Sequence, residues 1–366
     1  MYIWELPDWP HFRWNAEELL KPLAEAHLQQ GRLLGTMSRL GFDLRLEAEL
    51  AALTDEALKT SEIEGEHLNP ESVRSSVARR LGIPGAAVGL EDRLVEGIVA
   101  MTLDAAGNFN SPLTPERLFG WQAALFPTGY SELRKIKTGG WRDDADGPMR
   151  VLSGPVGREK VHFQAPPAER VEAEMQAFLA WFNEPLTIDG IVHAALAHLW
   201  FVTIHPFDNG NGRIARALAD MSLARSEHSP QRFYSLAGEI SRERPAYYAS
   251  LEGAQKGDLD ITKRLLWFIE CFSRAIDAAE VGCADVLRKA DFWLRHATVS
   301  LNDRQKKVLN RLLDGFEGKL TARKWAALAK CSMPTAQRDI KELIDRGLLT
   351  RNEGGSKNTS YNIAPS

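Results

Sequence analysis

The amino-acid sequence predicts a mostly α-helical protein of more than one domain, and three observations carry that expectation. Apolar residues recur at three- and four-residue spacing through most of the chain, which places them on one face of successive helices. One stretch, residues 139–167, is instead rich in Gly and Pro and holds short β-prone pieces. The last fifty or so residues differ from the rest in charge. At 366 residues the chain exceeds what one small core accommodates, so about two or three domains are expected.

The elements follow in order. Trp4, Trp9, Phe12 and Trp14 stand among prolines as an aromatic arm expected to pack on a domain surface. From residue 15 to about 88 the pattern is mainly helical, with Leu19, Leu20, Leu33, Leu34 and Met37 at helical spacing. A second helical block runs from 91 to about 106, and Ser111-Pro112-Leu113-Thr114-Pro115 starts another. Residues 149–152 and 160–163 flank Gly154, Pro155 and Gly157 and read as a hairpin. Beyond Pro166-Pro167, one helix has Val171, Met175, Phe178, Leu179 and Phe182 on its apolar face. A more strongly apolar helix is expected from about 187 to 203, and helical patterns continue to about 295.

In the tail, Thr321 is placed to cap a helix ending near 330, and Ser332 one ending near 346. The second would bury Ala336, Ile340, Leu343 and Ile344. Strands at 348–351 and 360–363 follow, joined through Gly354-Gly355. Helix, turn, helix, hairpin is the winged-helix order. Residues 318–366 carry a net charge of +5, which leaves −9 for the remainder. That balance, with Thr335, Gln337 and Arg338 in the first turn of the second helix, favours DNA as a partner. Lys357 and Asn358 are placed to touch phosphate. Protein contacts through the same unit stay open.

Composition excludes several classes. The chain is 44% apolar and 26% charged, ordinary for a soluble globular protein. No run of about 18 apolar residues suggests a membrane span. The first residues have neither the basic start nor the continuous apolar stretch of a secretory signal. Cys271, Cys283 and Cys331 are scattered, so neither a disulfide framework nor a cysteine metal site is expected, and a cytoplasmic location fits. His193 and His198 lie five residues apart, about 500° around a helix, and so do not form a metal pair.

The chemistry is concentrated in His205-Pro206-Phe207-Asp208-Asn209-Gly210-Asn211-Gly212-Arg213-Ile214-Ala215-Arg216, between two apolar helices. Its glycines permit positive φ and close backbone approach. Consecutive N–H groups at a helix start form an anion nest, favoured by the helix dipole. Arg213 and Arg216, three apart, face the same anion, and guanidinium suits phosphate oxygens. His205 at the edge supplies a general base.

This segment resembles the Fic signature, H-P-F-x-(D or E)-G-N-G-R-x-x-R, and departs from it at Asn209. The hairpin looks like that family's target-docking flap, with Val151, Leu152 and Ser153 on the docking strand. Residues 244–258, with Tyr247, Tyr248 and Gln255, resemble its adenine-side segment. Tyr247 and Tyr248 are about 100° apart on a helix, so at most one is expected to face the nucleotide squarely. The aromatic arm and the winged tail occur together in one bacterial subgroup.

The resemblance implies a Fic helical bundle with a β-hairpin flap, plus a C-terminal winged helix-turn-helix domain. The boundaries implied are 1–105 for an N-terminal helical region, 106–284 for the catalytic core, and 285–366 for a linker helix and the winged helix. It implies AMP transfer from ATP to a Ser, Thr or Tyr hydroxyl of a target protein. His205 would be the base, and Gly210, Asn211, Gly212, Arg213 and Arg216 would hold the phosphates. Mg2+ would bridge the α- and β-phosphates, with the neutral Asn209 a weak ligand where the family has a carboxylate. Asp208 is expected to point elsewhere. Homodimers are common in the family.

Thr60-Ser61-Glu62-Ile63-Glu64-Gly65 is similar to the family's inhibitory pattern, (S or T)-x-x-x-E-(G or N). By that resemblance Glu64 reaches Arg216 and takes the place of the γ-phosphate. Two alternatives stand beside transfer. One is a DNA-binding regulator whose core binds nucleotide or modifies only itself. The other is an enzyme removing AMP, with Glu64 aligning water.

Overall fold

The computed structural model describes residues 1–83, 92–131, 133–145, 147–153, 158, 160–313, 316, 318–352 and 359–364. Gly154, Pro155, Gly157, Gly354, Gly355, Lys357 and Asn358 lie outside the described residues. The chain forms two compact units, Met1–Ser38 with Leu46–Ala279, and Arg39–Arg45 with Glu280–Ser366.

In the larger unit, a short 3-10 turn (Ile3–Glu5) precedes α1 (Ala16–Ser38), α2 (Phe42–Ile63), α3 (Pro70–Arg80), α4 (Arg93–Gly107) and α5 (Pro115–Leu125). Two hairpins follow, β1 (Tyr130–Ser131) with β2 (Arg134–Lys135), and β3 (Arg150–Ser153) with β4 (Lys160–Gln164). Then come α6 (Ala168–Asn183), α7 (Gly190–Ile204), α8 (Asn211–Glu227), α9 (Leu236–Arg242), α10 (Arg244–Gln255) and α11 (Thr262–Gly282). The smaller unit holds α12 (Ala284–Arg295), α13 (Asp303–Leu313), α14 (Ala322–Ala329), α15 (Met333–Asp345), β5 (Leu349–Arg351) and β6 (Tyr361–Ile363).

The centre of the larger unit is α7 against α8. Every residue of α7 is buried, as an all-round apolar helix requires. It starts at Gly190 rather than near 187, because Asp189 caps it by accepting from Ile191 N (2.9 Å) and Val192 N (3.3 Å). Val171, Met175, Phe178, Leu179 and Phe182 form the buried face of α6, as their spacing predicts. Leu19, Leu33 and Met37 are buried on α1, whereas Leu20 is 73% exposed. The aromatic arm packs on this unit: Trp4 Nε1 donates to Gln164 O (2.8 Å) and Trp9 Nε1 to Glu174 Oε2 (2.8 Å).

Both hairpin strands fall where the β-prone pieces stood. The β1–β2 hairpin went unforeseen, because two-residue strands show no alternation to read. In β3–β4, Val151 pairs with Phe163 and Leu152 with Val161, so His162 is an extra residue, a bulge on β4.

In the smaller unit, Phe292, Val308, Leu309, Trp325, Ile340 and Leu343 share one core. Thr321 caps α14 by accepting from Lys324 N (3.3 Å), and Ser332 caps α15 by accepting from Thr335 N (3.4 Å). The antiparallel β5–β6 pair sets Leu349 opposite Ile363, and Tyr361 N also donates to Leu320 O ahead of α14 (2.9 Å). Among the described residues, no helix is long and apolar enough to cross a membrane, and the three cysteines are free.

Candidate active site

The loop between α7 and α8 is held open by its own residues. His205 ends α7 in a left-handed conformation, φ 52° and ψ 58°. That is uncommon for a residue with a Cβ, and the following Pro206 cannot continue the helix. Asn211 braces the turn from inside: Oδ1 accepts from Phe207 N (3.0 Å) and Nδ2 donates to Phe207 O (2.7 Å). Its side-chain amide is thus used within the loop, so any part it plays toward an anion falls to its backbone N–H. Arg142, buried, braces the loop from outside. Its Nε donates to His205 O (2.8 Å), its backbone N–H to Pro206 O (2.9 Å) and its Nη1 to Asp144 (2.7 Å).

This geometry fixes the state of His205. Nδ1 lies 3.1 Å from Val202 O. A carbonyl only accepts, so Nδ1 carries the proton and Nε2 keeps its lone pair. Burial pushes the imidazole down to about 4. Arg142 also lowers it, while the Val202 hydrogen bond and Glu64 oppose the shift. The ring is therefore a neutral acceptor at physiological pH.

Beside it, α8 begins at Gly210, which sits at φ 92°. A Cβ there would meet the Phe126 ring at 3.0 Å. The first helical bond is Ile214 N to Gly210 O (3.0 Å). The N–H groups of Asn211, Gly212 and Arg213 therefore have no acceptor in the helix, at its positive end. Arg213 and Arg216 are almost wholly buried. Arg216 donates to Thr60 Oγ1 (2.7 Å), Thr60 O (2.9 Å) and Glu64 Oε1 (2.8 Å). Its Nη1 is buried without a hydrogen-bond partner.

The C-terminus of α2 delivers two carboxylates to these arginines. Gly65 turns at φ 88°, with Gly65 N donating to Glu62 O and Glu66 N to Ser61 O, both 3.0 Å. This glycine-centred helix ending sends Glu64 to Arg216 and Glu66 to Arg213, where Nη1 donates to Oε2 at 2.6 Å. Glu64 meets the arginine that the resemblance assigned to it. Glu66 lies outside the inhibitory pattern, and the turn at Gly65 is what aims it at Arg213. Burial raises the Glu64 carboxyl, but Arg216, Arg213 and His205 together outweigh it and hold the group below its usual range. Its Oε1 sits 2.3 Å from where a Gly212 Cβ would lie, directly over the α8 N-terminus. Higher on α2, Glu56 accepts from Ala237 N (2.9 Å) and Ser235 Oγ (3.0 Å). Burial and then Asp220 push its carboxyl up to about 8, so a largely neutral acid docks the helix.

A cavity of about 600 Å³ opens over this arrangement. Glu64, His205 and Gly212 line it, with Val151, Leu152 and Ser153 on the hairpin side. Tyr247, Tyr248 and Gln255 of α10 line it as well. The two tyrosines line it in different settings, as neighbours about 100° apart on a helix must. Tyr247 is buried, its hydroxyl 3.0 Å from His198 Nε2, while Tyr248 is 40% exposed. Asp208, expected to point elsewhere, shares the wall with Asn209, its Oδ2 accepting from Lys137 N (2.8 Å). Asn209 donates from Nδ2 to Ser131 Oγ (2.6 Å), and its Oδ1 accepts from Gly210 N (2.7 Å). Among the described residues, no three His, Cys, Asp or Glu gather as a metal site.

Comparison with known proteins bears on the whole assembly. Residues 2–83 match a domain of unknown function, DUF4172. Residues 112–223 match the Fic/DOC family. Protein adenylyltransferase fic-1 of Caenorhabditis elegans is 39% identical over 115 residues, covering 31% of this chain and 21% of that protein. Its counterpart in Caenorhabditis briggsae is 28% identical over 236 residues, covering 64% of this chain and 41% of that one. The chain thus spans well under half the length of these relatives. A Fic family protein from Desulfovibrio desulfuricans has the same fold, with a TM-score of 0.60 and 19% identity over 95% of this chain and 96% of that one. The loop from His205 to Arg216 falls inside the span, residues 112–223, over which the chain matches the Fic/DOC family.

Proposed function

We propose that this chain is a protein adenylyltransferase, transferring AMP from ATP to a Ser, Thr or Tyr hydroxyl of a protein, and that Glu64 holds it at rest. One observation carries the reading. His205, with Nε2 left as its acceptor, lines one cavity with Gly212 of the α8 N-terminus and with Glu64, whose partner is the buried Arg216. In the reaction the target hydroxyl gives its proton to His205 Nε2 and its oxygen attacks the α-phosphorus, and pyrophosphate leaves. The α8 N-terminus holds phosphate through the backbone N–H groups of Asn211 and Gly212, Gly210 supplying the positive-φ turn that exposes them, and Arg213 and Arg216 take the β- and γ-phosphates. Tyr247, Tyr248 and Gln255 flank the base. The exposed edge of β3, at Val151, Leu152 and Ser153, pairs with an extended segment of the target. Most of the rate gain then comes from positioning and electrostatics.

The orphaned Nη1 of Arg216 supports phosphate binding here, since it leaves a buried cation with a free donor. The donor set suits a magnesium ion arriving with ATP, because Asp208 and Asn209 offer one carboxylate and one amide. Bound there, Mg2+ would offset phosphate charge. Asn209→Asp supplies the missing hard ligand. It is expected to raise transfer at low magnesium on the order of tenfold, measured as labelled AMP incorporated across a magnesium titration. An unchanged titration would remove Asn209 from the metal. The direct test of the function is incubation with α-labelled ATP and magnesium; an activated chain that labels neither itself nor any protein in an extract excludes it.

The smaller unit supports a second role. We read residues 285–366 as a linker helix and a winged helix whose α15 faces duplex DNA, with Gln337 and Arg338 exposed in its first turns. Duplex should be retarded by the full chain, and increasingly less so as salt rises. Arg338→Ala is expected to weaken that retardation; the same mobility at every salt concentration argues for protein contacts instead.

A further inference from the structure

Helices α2 and α8 meet along three rungs, each about one helical turn from the next. Glu64, Thr60 and Glu56 recur every four residues on α2, and Gly212, Arg216 and Asp220 every four on α8, so each series keeps to one helix face. Glu64 and Thr60 both accept from Arg216, at 2.8 Å and 2.7 Å. One turn further along, Glu56 and Asp220 are in hydrogen-bonding contact. Two carboxyl groups form such a bond only when one of them keeps its proton. Their surroundings decide which. Glu227 accepts from Arg232 Nη1 (2.7 Å), from Gln30 Nε2 of α1 (2.7 Å) and from the Tyr234 hydroxyl. Asp220 faces Arg232 Nη2 at 3.3 Å. Glu56 Oε2 accepts from Ser235 Oγ and from the Ala237 N–H of α9, both neutral donors, and Asp55 beside it on α2 adds negative charge. The buried side chains of Glu56, Asp220 and Glu227 thus gather around the single guanidinium of Arg232. Ionising all three would strand a buried charge, so Glu56 holds a proton and donates it to Asp220.

We propose that this shared proton is a latch on the inhibitory helix, and that its loss as pH rises lets α2 lift from α8 and carries Glu64 away from Arg216. The inference rests on the transferase reading, since that is the activity Glu64 restrains. Glu56 is buried on a helix, so its ionised carboxylate reaches water only if α2 moves, and Thr60 and Glu64 move with it. The direction follows from where the proton binds. Released into water, the Glu56 carboxyl ionises near its ordinary value of 4.5; docked, burial and then Asp220 push it up to about 8. Between those limits docking takes up a proton. The docked form is therefore favoured at low pH and loses up to about tenfold per pH unit as pH rises. Above about 8 both forms are ionised, and the loss stops.

The experiment compares the full chain as wild type, Glu64→Gly and Glu56→Gln from about pH 6 to about pH 9. Glutamine keeps the hydrogen bonds of a protonated Glu56 and cannot ionise. AMP incorporated by wild type, divided by that of Glu64→Gly at the same pH, is expected to rise by up to about tenfold per pH unit and to level off above about 8. The same ratio for Glu56→Gln should stay throughout at the low value that wild type shows in acid. Amide hydrogen exchange along residues 56–64 of α2, corrected for the intrinsic rate at each pH, reads the latch without any transfer. Protection there should fall over the same range in wild type and hold in Glu56→Gln. A level ratio in wild type, or a ratio that rises equally in Glu56→Gln, overturns the latch and spares the transferase reading. No AMP on any protein, with Glu64→Gly included, overturns the transferase reading, and exchange then decides the latch by itself. Protection that falls alike in both chains, or in neither, overturns it.

Discussion

Replacing Glu64 with glycine is expected to raise AMP incorporation about tenfold to a hundredfold over the wild-type chain, at saturating ATP and magnesium. The magnitude follows from what the substitution removes. Glu64 accepts a charge-assisted hydrogen bond from Arg216 at 2.8 Å, and such bonds contribute roughly 1.5–3 kcal/mol. A γ-phosphate seeking the same guanidinium must displace it. The carboxylate also stands over the α8 N-terminus, where a Gly212 Cβ would meet it. Glycine at 64 vacates both positions, and Thr60 still holds Arg216 through two hydrogen bonds, so the arginine stays aimed. Glu66 remains on Arg213 after the change. It is the more exposed of the two acids, at 39% against 29%, and exposed pairs contribute only about 0–1 kcal/mol. Adding Glu66→Ala should therefore give a smaller further rise, up to about fivefold. Labelled ATP and quantitation per chain decide the matter. Equal incorporation by wild type and Glu64→Gly would end the inhibitory assignment, and a larger effect from Glu66→Ala alone would transfer it to the other pair.

Replacing His205 with alanine in the activated chain is expected to lower transfer by about 10²–10⁴-fold, the range for loss of a general base. ATP binding should change little, because the anion site is made by α8 and its arginines. The pH profile carries a second, sharper expectation. A histidine at its ordinary value would lose its base function as pH falls below about 6.5. Burial holds His205 near 4, so the neutral ring persists and the rate should stay level from neutrality to about pH 5. Protonation then removes the acceptor at lower pH, and the rate falls. A rate that already halves near pH 6.5 would show an imidazole in contact with solvent, and incorporation undiminished in His205→Ala would assign the base elsewhere.

Short-range chemistry was legible along the chain. The His205 loop reads as a turn into a helix from its two glycines and the apolar run that follows, and Gly210 does sit at φ 92° ahead of α8. Thr321 and Ser332 cap the helices they precede because capping involves atoms within three residues. The buried face of α6 followed from spacing alone. Glu64 was paired with Arg216 through resemblance, since nothing within the chain near residue 64 reveals an arginine 152 positions away.

Partners across such distances were settled by folding. Arg142 stands in a Gly- and Pro-rich stretch of sequence, yet it is buried and braces the loop between α7 and α8. Burying a charge is tolerated only where acceptors converge on it, and its acceptors come from Asp144, His205 and Pro166. Glu66 reads as one acid among three, and the turn at Gly65 alone aims it at Arg213. His162 reads as an ordinary strand residue; the bulge that directs it to Ser153 and Glu252 is a matter of register between two strands. Residue types and local spacing thus specify helices, caps and the glycine-bearing turn before α8, because those depend on neighbours within about one helical turn. Which carboxylate opposes which arginine, and which base meets which hydroxyl, depends on packing α2 against α8 and the hairpin against α10, where side chains far apart in the chain come within hydrogen-bonding distance.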